Sequence, residues 1–139
     1  MRKFYPKLDY FCVCDDIRHE VGEKVSYMGV YPNDVITIPI PHVLLKLCFH
    51  LSFSKLCNGD KFKMKVLDPN KNIVASGESP VYRKSGKRKY GDATLNVSFM
   101  GLQITEEGTH EVILAFGKDK KAQQNFKIVF EKEEEEEEE

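Results

Sequence analysis

A chain of 139 residues, 41% hydrophobic and 31% charged, can bury a core without disulfides or metals. No stretch approaches the roughly 18 consecutive apolar residues that mark a membrane-spanning helix. The net charge of −1 conceals a segregation: residues 131–139 hold eight Glu and one Lys, leaving 20 basic and 14 acidic residues, or +6, across residues 1–130. The division predicted is a mildly basic domain over 1–130 and an acidic poly-Glu tail over 131–139, whose like charges keep it solvated as an interaction or self-shielding segment.

No apolar stretch of the signal-peptide kind follows the basic start at 1–7. Cys12, Cys14, Cys48 and Cys57 are therefore expected as reduced thiols in a cytoplasmic compartment. Their C-x-C and C-x8-C spacings differ from those of common zinc modules, so buried small hydrophobes are the expectation and no metal is assigned.

In chain order, the dominant period is two. Residues 10–14 (YFCVC) are apolar on both faces, as in a central strand, with a partner at 24–30 across a loop carrying Asp15, Asp16, Arg18, His19 and Glu20. Residues 35–38 read as a short edge strand stopped by Pro39 and Pro41. From 43 to 53 the odd positions Val43, Leu45, Leu47, Phe49, Leu51 and Phe53 share one face and are expected in the core; a helical stripe through Leu44, Leu47, Cys48 and Leu51 is the rival.

Phe62, Met64 and Val66 alternate with Lys61, Lys63 and Lys65, and Asp68-Pro69-Asn70 turns the chain into a hairpin partner at 73–76. Ala93, Leu95, Val97 and Phe99 form the next apolar face, then His110, Val112, Leu114 and Phe116, and after a turn at 117–120, Phe126, Ile128 and Phe130. About seven to nine turn-punctuated strands without a helix predict an all-β antiparallel sandwich.

The block from Cys14 to Tyr31 (CDDIRHEVGEKVSYMGVY) carries Cys14, Asp16, Arg18, Glu20, Ser26, Gly29 and Tyr31, followed later by Asp68-Pro69 and Ala75. In these residues the chain resembles an uncharacterised family of small bacterial proteins, a domain of unknown function. Glu23 stands where the family pattern has a Gly beside Lys24. The resemblance covers roughly residues 9–130, leaving the basic loop and the Glu tail aside. It implies a β-sandwich of immunoglobulin-like type and no assigned activity; the fold class expected is an immunoglobulin-like or C2-like β-sandwich.

Three constellations bear on chemistry. Asp15, Asp16, His19 and Glu20 offer cation ligands, yet a calcium loop needs six to eight oxygens and a mid-loop Gly. A salt-bridged turn in which Arg18 pairs with Asp16 or Glu20 is the stronger reading, with a partner-binding loop of Asp15, Asp16, Arg18 and Glu20 beside it. Cys14 with His19, His50 or His110 makes a thiol–base pair only on paper, since no orienting third group or Gly-rich elbow is present. Phosphate-loop, dinucleotide and zinc-protease motifs are absent as well.

The densest surface feature is Tyr82, Arg83, Lys84, Lys87, Arg88, Lys89 and Tyr90, five cations flanked by two tyrosines around Ser85-Gly86. Phosphate backbones and anionic lipid surfaces both reward such density. The sequence thus predicts a non-enzymatic interaction module without a cofactor, binding a protein partner through a sheet edge or loops. The alternative is nucleic-acid or anionic-lipid binding through 82–90, modulated by the acidic tail.

Overall fold

The computed structural model describes residues 6–39, 42–56, 59–79, 91–116 and 121–131. Alternating side chains become strands throughout. They are β1 (Lys7–His19), β2 (Val25–Val30), β3 (Val35–Ile38), β4 (His42–Leu56), β5 (Phe62–Leu67), β6 (Ile73–Glu78), β7 (Gly91–Ile104), β8 (Gly108–Phe116) and β9 (Lys121–Phe130). A single 3-10 turn, Pro32–Asp34, separates β2 from β3. No helix among the described residues is long and apolar enough to cross a membrane.

The strands form a four-stranded sheet in the order β2-β1-β4-β7 and a five-stranded sheet in the order β3-β9-β8-β5-β6. Every pairing is antiparallel except one. β3 enters the second sheet from the first and lies parallel to β9, Val35 beside Lys127 and Ile38 beside Phe130. An all-antiparallel sandwich is corrected to that extent. The predicted edge position of 35–38 holds, and the Glu131 N–H donates to Ile38 O at 2.5 Å, carrying the pairing one residue past β9.

The β5–β6 hairpin follows from its turn residues. The buried Asp68 carboxylate accepts the backbone N–H groups of Asn70 and Asn72 through Oδ1, each at 2.9 Å, so the carboxylate templates the reversal. Lys71 takes a left-handed φ of 67° at the tip and pairs with Glu111 on β8.

Aromatic side chains tie the two sheets together. Phe49 of β4 meets Phe99 of β7 in its own sheet and Phe126 of β9 across the interface, at centroid distances of 5.8 and 5.5 Å. A second group joins Phe53 of β4 to Phe62 and Phe116 of the opposite sheet at 4.8 and 5.6 Å. Leu47, Leu51, Val66, Val112, Leu114 and Ile128 fill the space between them.

The burial expected along 43–53 holds only in part. Leu47, Phe49, Leu51 and Phe53 are buried, whereas Val43 and Leu45 are exposed and Leu44 packs on the core. The register to β7 does not slip: Leu44 pairs with Leu102 and Leu47 with Phe99. Both strands instead change phase together. On β7 the inward set shifts from Leu95, Val97 and Phe99 to Leu102 and Ile104. Gly101, at φ 66°, lies at the change and adopts a left-handed conformation that side chains with a Cβ rarely take. Further along β4, Lys55 at φ 60° marks a bulge that returns Leu56 to the core.

Two outcomes test this packing. Phe49→Ala removes a ring that touches both sheets and is expected to cost about 3–5 kcal/mol in urea unfolding, whereas an exposed control such as Thr94→Ala stays within about 0.5 kcal/mol. Burial pushes the His110 imidazole below its ordinary value of 6.5, with the Gly108 carbonyl and Asp68 opposing. Well above pH 6.5 the ring is neutral in both folded and unfolded chains, so its contribution is complete. As pH falls below that value, the unfolded chain takes up the proton first and stability declines toward the lower folded value. His110→Gln is expected to flatten this slope between neutral pH and about pH 5.5.

Candidate interaction surface

The four-stranded sheet presents Cys12, Cys14 and Asp16 of β1 and Lys46, Cys48, His50 and Ser52 of β4 away from the core that holds Val13, Leu47, Phe49 and Leu51. The registers align Cys14 with Cys48 and Cys12 with His50 across β1 and β4, then Cys48 with Ser98 and His50 with Asn96 across β4 and β7. Cys12, Cys14, Cys48 and His50 are nevertheless buried, although none belongs to the main core. Tyr27 helps to cover them. Its ring packs edge-on against His50 at 4.6 Å, and its hydroxyl reaches Nδ1 of that histidine at 2.8 Å. Nδ1 also lies 2.8 Å from Asn96 Oδ1. Ser52 Oγ meets Nε2 at 3.1 Å.

The thiols around this network are quiet. Cys14 donates to the Asp16 carbonyl at 3.5 Å, while Cys48 lies 3.7 Å from the Asp15 carbonyl and 3.1 Å from Ser98 Oγ. Burial pushes the Cys14 thiol up to about 12 and raises that of Cys12 as well. At neutral pH these are protonated side chains, and the His50 nitrogens are bonded to Tyr27, Asn96 and Ser52 rather than to sulfur. The register sets Cys12, rather than the Cys14 of the pair drawn from the sequence, opposite His50, and Cys14 opposite Cys48. Cys12, Cys14 and Cys48 are unpaired; Cys57 lies outside the described residues. No group of three or more His, Cys, Asp or Glu side chains among the described residues is placed to hold a metal ion.

Asp15, Asp16 and Arg18 lie within β1 rather than in a loop, a correction to the expected boundary, and Glu20 begins the turn that follows. That tight turn is closed by the Glu20 N–H donating to Lys24 O at 2.7 Å. Asp16 pairs with Lys46 of β4 at 2.5 Å and with Arg18 at 3.5 Å. The Lys46 ammonium holds the Asp16 carboxyl below its ordinary value. Asp15 accepts from the Tyr31 hydroxyl, and a Cβ at Gly29 (φ 65°) would overlap the Asp15 carboxylate, so this close crossing requires glycine. The basic loop residues Tyr82, Arg83, Lys84, Lys87, Arg88, Lys89 and Tyr90 lie outside the described residues.

Around the Asp16–Lys46 pair the sheet is apolar. Met28 of β2 aligns with Asp16, and Met100 of β7 aligns with Lys46, giving one row of four side chains across all four strands. Leu45 is 78% exposed and Met100 72%, with Val30 and Val43 also open to solvent. Of the eight large hydrophobic residues exposed among the described residues, six (Tyr10, Met28, Val30, Val43, Leu45 and Met100) belong to this sheet. Sequence reasoning missed this patch: adjacent Leu44-Leu45 interrupts the alternation, but its effect shows only once β4 is paired with the Gly101 region of β7.

The sheet also ends on an open strand. Among the described residues β7 pairs only with β4, and its 14 residues contain a single charge, Asp92, and no proline. Edge strands are ordinarily blunted by lysine, proline or brevity. The other three edges are shorter: β2 and β6 have six residues each, and β3 has four. Beside β7 a narrow apolar crevice of about 40 Å³ opens between the sheets, lined by Phe62, Met64, Gly77, Leu95 and Val97 among others.

Native-state alkylation tests the thiol environment. Cys12, Cys14 and Cys48 are expected to resist modification in the folded protein at pH 8 and to react fully once it is unfolded. Rapid labelling of any of the three in the native state would contradict the burial described.

No curated protein matches the chain in sequence. Its fold is similar to part of a solved structure of Bifidobacterium dentium beta-glucuronidase complexed with coumarin-3-O-glucuronide, at 11% identity and a TM-score of 0.44. The match covers 88% of this chain and 18% of that one, a likeness too distant to carry an argument. Residues 9–129 match the family of unknown function DUF6941, and the chain belongs to that family.

Proposed function

We propose that this protein is a non-enzymatic interaction module, an immunoglobulin-like sandwich from a bacterial cytoplasm, that binds a protein partner on its four-stranded sheet. The observation that carries the reading is that six of the eight large hydrophobics exposed among the described residues lie on that sheet, with Met28 and Met100 in the row of the Asp16–Lys46 pair. Exposed apolar patches with a polar element mark recognition surfaces more often than chance exposure does. The open β7 edge supplies a second component, because an added strand gains backbone hydrogen bonds while side chains set the register. Strands that pass from one sheet to the other at β2–β3, β3–β4, β4–β5, β6–β7 and β7–β8 support the immunoglobulin-like type.

The nucleic-acid or anionic-lipid alternative rests on the basic loop 82–90, which lies outside the described residues; the described part of its basic surface is the exposed row Lys61, Lys63 and Lys65. Glu78 neutralises part of that row through Lys61 at 3.1 Å and Lys63 at 3.9 Å, so the protein-binding reading ranks first.

The test is quantitative capture from native cells with the full chain and with Leu45→Glu/Met100→Glu, two exposed positions whose change is expected to alter stability by no more than about 0.5 kcal/mol each. A protein partner retained by the natural sequence and reduced about tenfold or more by the double variant supports the reading. Equal capture by both overturns it. Salt-sensitive binding of single-stranded DNA or anionic vesicles, unchanged by the variant, directs attention to the alternative.

A further inference from the structure

We propose that the partner at the β7 edge is a second copy of this chain, with β7 pairing antiparallel to its symmetry mate across a two-fold axis. The inference rests on the reading of β7 as a recognition element and names what it recognises. Three observations carry it.

First, the side of β7 away from β4 is incompletely covered. Ala93, Leu95, Val97 and Phe99 point inward yet are only half-buried, whereas Phe53, Leu51, Phe49 and Leu47, their register partners on β4, are buried. The crevice lined by Leu95 and Val97 opens on the same side. A further strand beside β7 covers this shortfall and closes the crevice.

Second, the strand matches itself. The stretch 92–100 lies between Gly91 and the phase change at Gly101, and it centres on Asn96. Antiparallel self-pairing about Asn96 sets Ala93 against Phe99 and Leu95 against Val97 on the core side. On the other face it sets Thr94 against Ser98 and Asn96 against itself. Because an antiparallel register about one residue preserves the alternation, Ala93, Leu95, Val97 and Phe99 of both copies stay on the core side of the joined sheet. Asp92 falls opposite Met100, so no like charges meet.

Third, such a contact is isologous and closes on itself. It converts two four-stranded sheets into one of eight strands and leaves no long, uncharged edge to recruit further copies. It also brings the Met100 side chains of both copies onto one continuous face.

Sedimentation of the full chain over a dilution series reads the assembly, and two double variants read the register. Thr94→Lys/Ser98→Lys places lysine opposite lysine twice across the axis. Thr94→Lys/Ser98→Glu places lysine opposite glutamate twice. Both lose the Ser98 hydroxyl that meets Cys48, so local damage is common to the pair and cancels in the comparison. Circular dichroism confirms that both fold. The expected result is a concentration-dependent dimer for the natural sequence, weakened about tenfold or more in the Lys/Lys variant relative to the Lys/Glu variant. A natural chain that stays monomeric throughout overturns the inference and leaves capture of a different protein partner intact. Dimerisation that the two variants affect equally overturns it as well, because the contact then lies elsewhere than β7 in this register.

Discussion

The change of phase shared by β4 and β7 governs both the inside and the outside of the molecule. A strand that alternates faithfully from Val43 to Phe53 would bury Val43 and Leu45. Here the left-handed backbone at Gly101 lets β7 reverse its faces, β4 reverses beside it without a register slip, and Leu44 and Leu102 enter the core instead. Leu45 is left on the surface by the same event, next in sequence to Lys46 of the row that runs from Met28 to Met100. One backbone conformation therefore completes the end of the core and exposes part of the apolar surface. Glycine is suited to the position because it takes this conformation at little steric cost.

The remaining layers of the four-stranded sheet show how polar groups are held close to solvent without becoming reactive. Beneath Tyr27, the His50 ring is fixed by Asn96 and Ser52 while the Cys14 and Cys48 thiols lie against backbone carbonyls and a serine. A buried polar cluster with its hydrogen bonds satisfied rigidifies a sheet and discriminates against alternative registers. No buried side-chain nitrogen or oxygen among the described residues lacks a partner. This rigidity suits a surface that must hold side chains in fixed rows.

Much of the architecture was legible because period-two patterning and turn chemistry agree. Lys61–Val66 alternation, the Asp68-Pro69 turn and the apolar faces of β8 and β9 all appear where the residues place them. Three features were not legible, for physical reasons. The parallel β3–β9 pair depends on which sheet the chain enters after β2, which no local pattern encodes. The strand conformation of Asp15, Asp16 and Arg18 depends on pairing with β2 and on the Lys46 contact, so polar composition alone suggested a loop. The exposure of Val43 and Leu45 turns on Gly101, some 56 residues away in sequence from Leu45, and is visible only once β4 and β7 are paired. The surface patch was missed for that reason, since it is made from residues that strict alternation assigns to the core.

Native-state accessibility of single introduced thiols tests this account most directly. Leu44→Cys and Leu45→Cys are adjacent positions that strict alternation and the shared phase change assign to opposite sides. The account predicts fast alkylation at position 45 and strong protection at position 44 in the folded protein, with both reacting once it is unfolded. Protection at 45 together with fast labelling at 44 would show that β4 alternates without interruption, and both the core packing and the exposed surface described here would be contradicted.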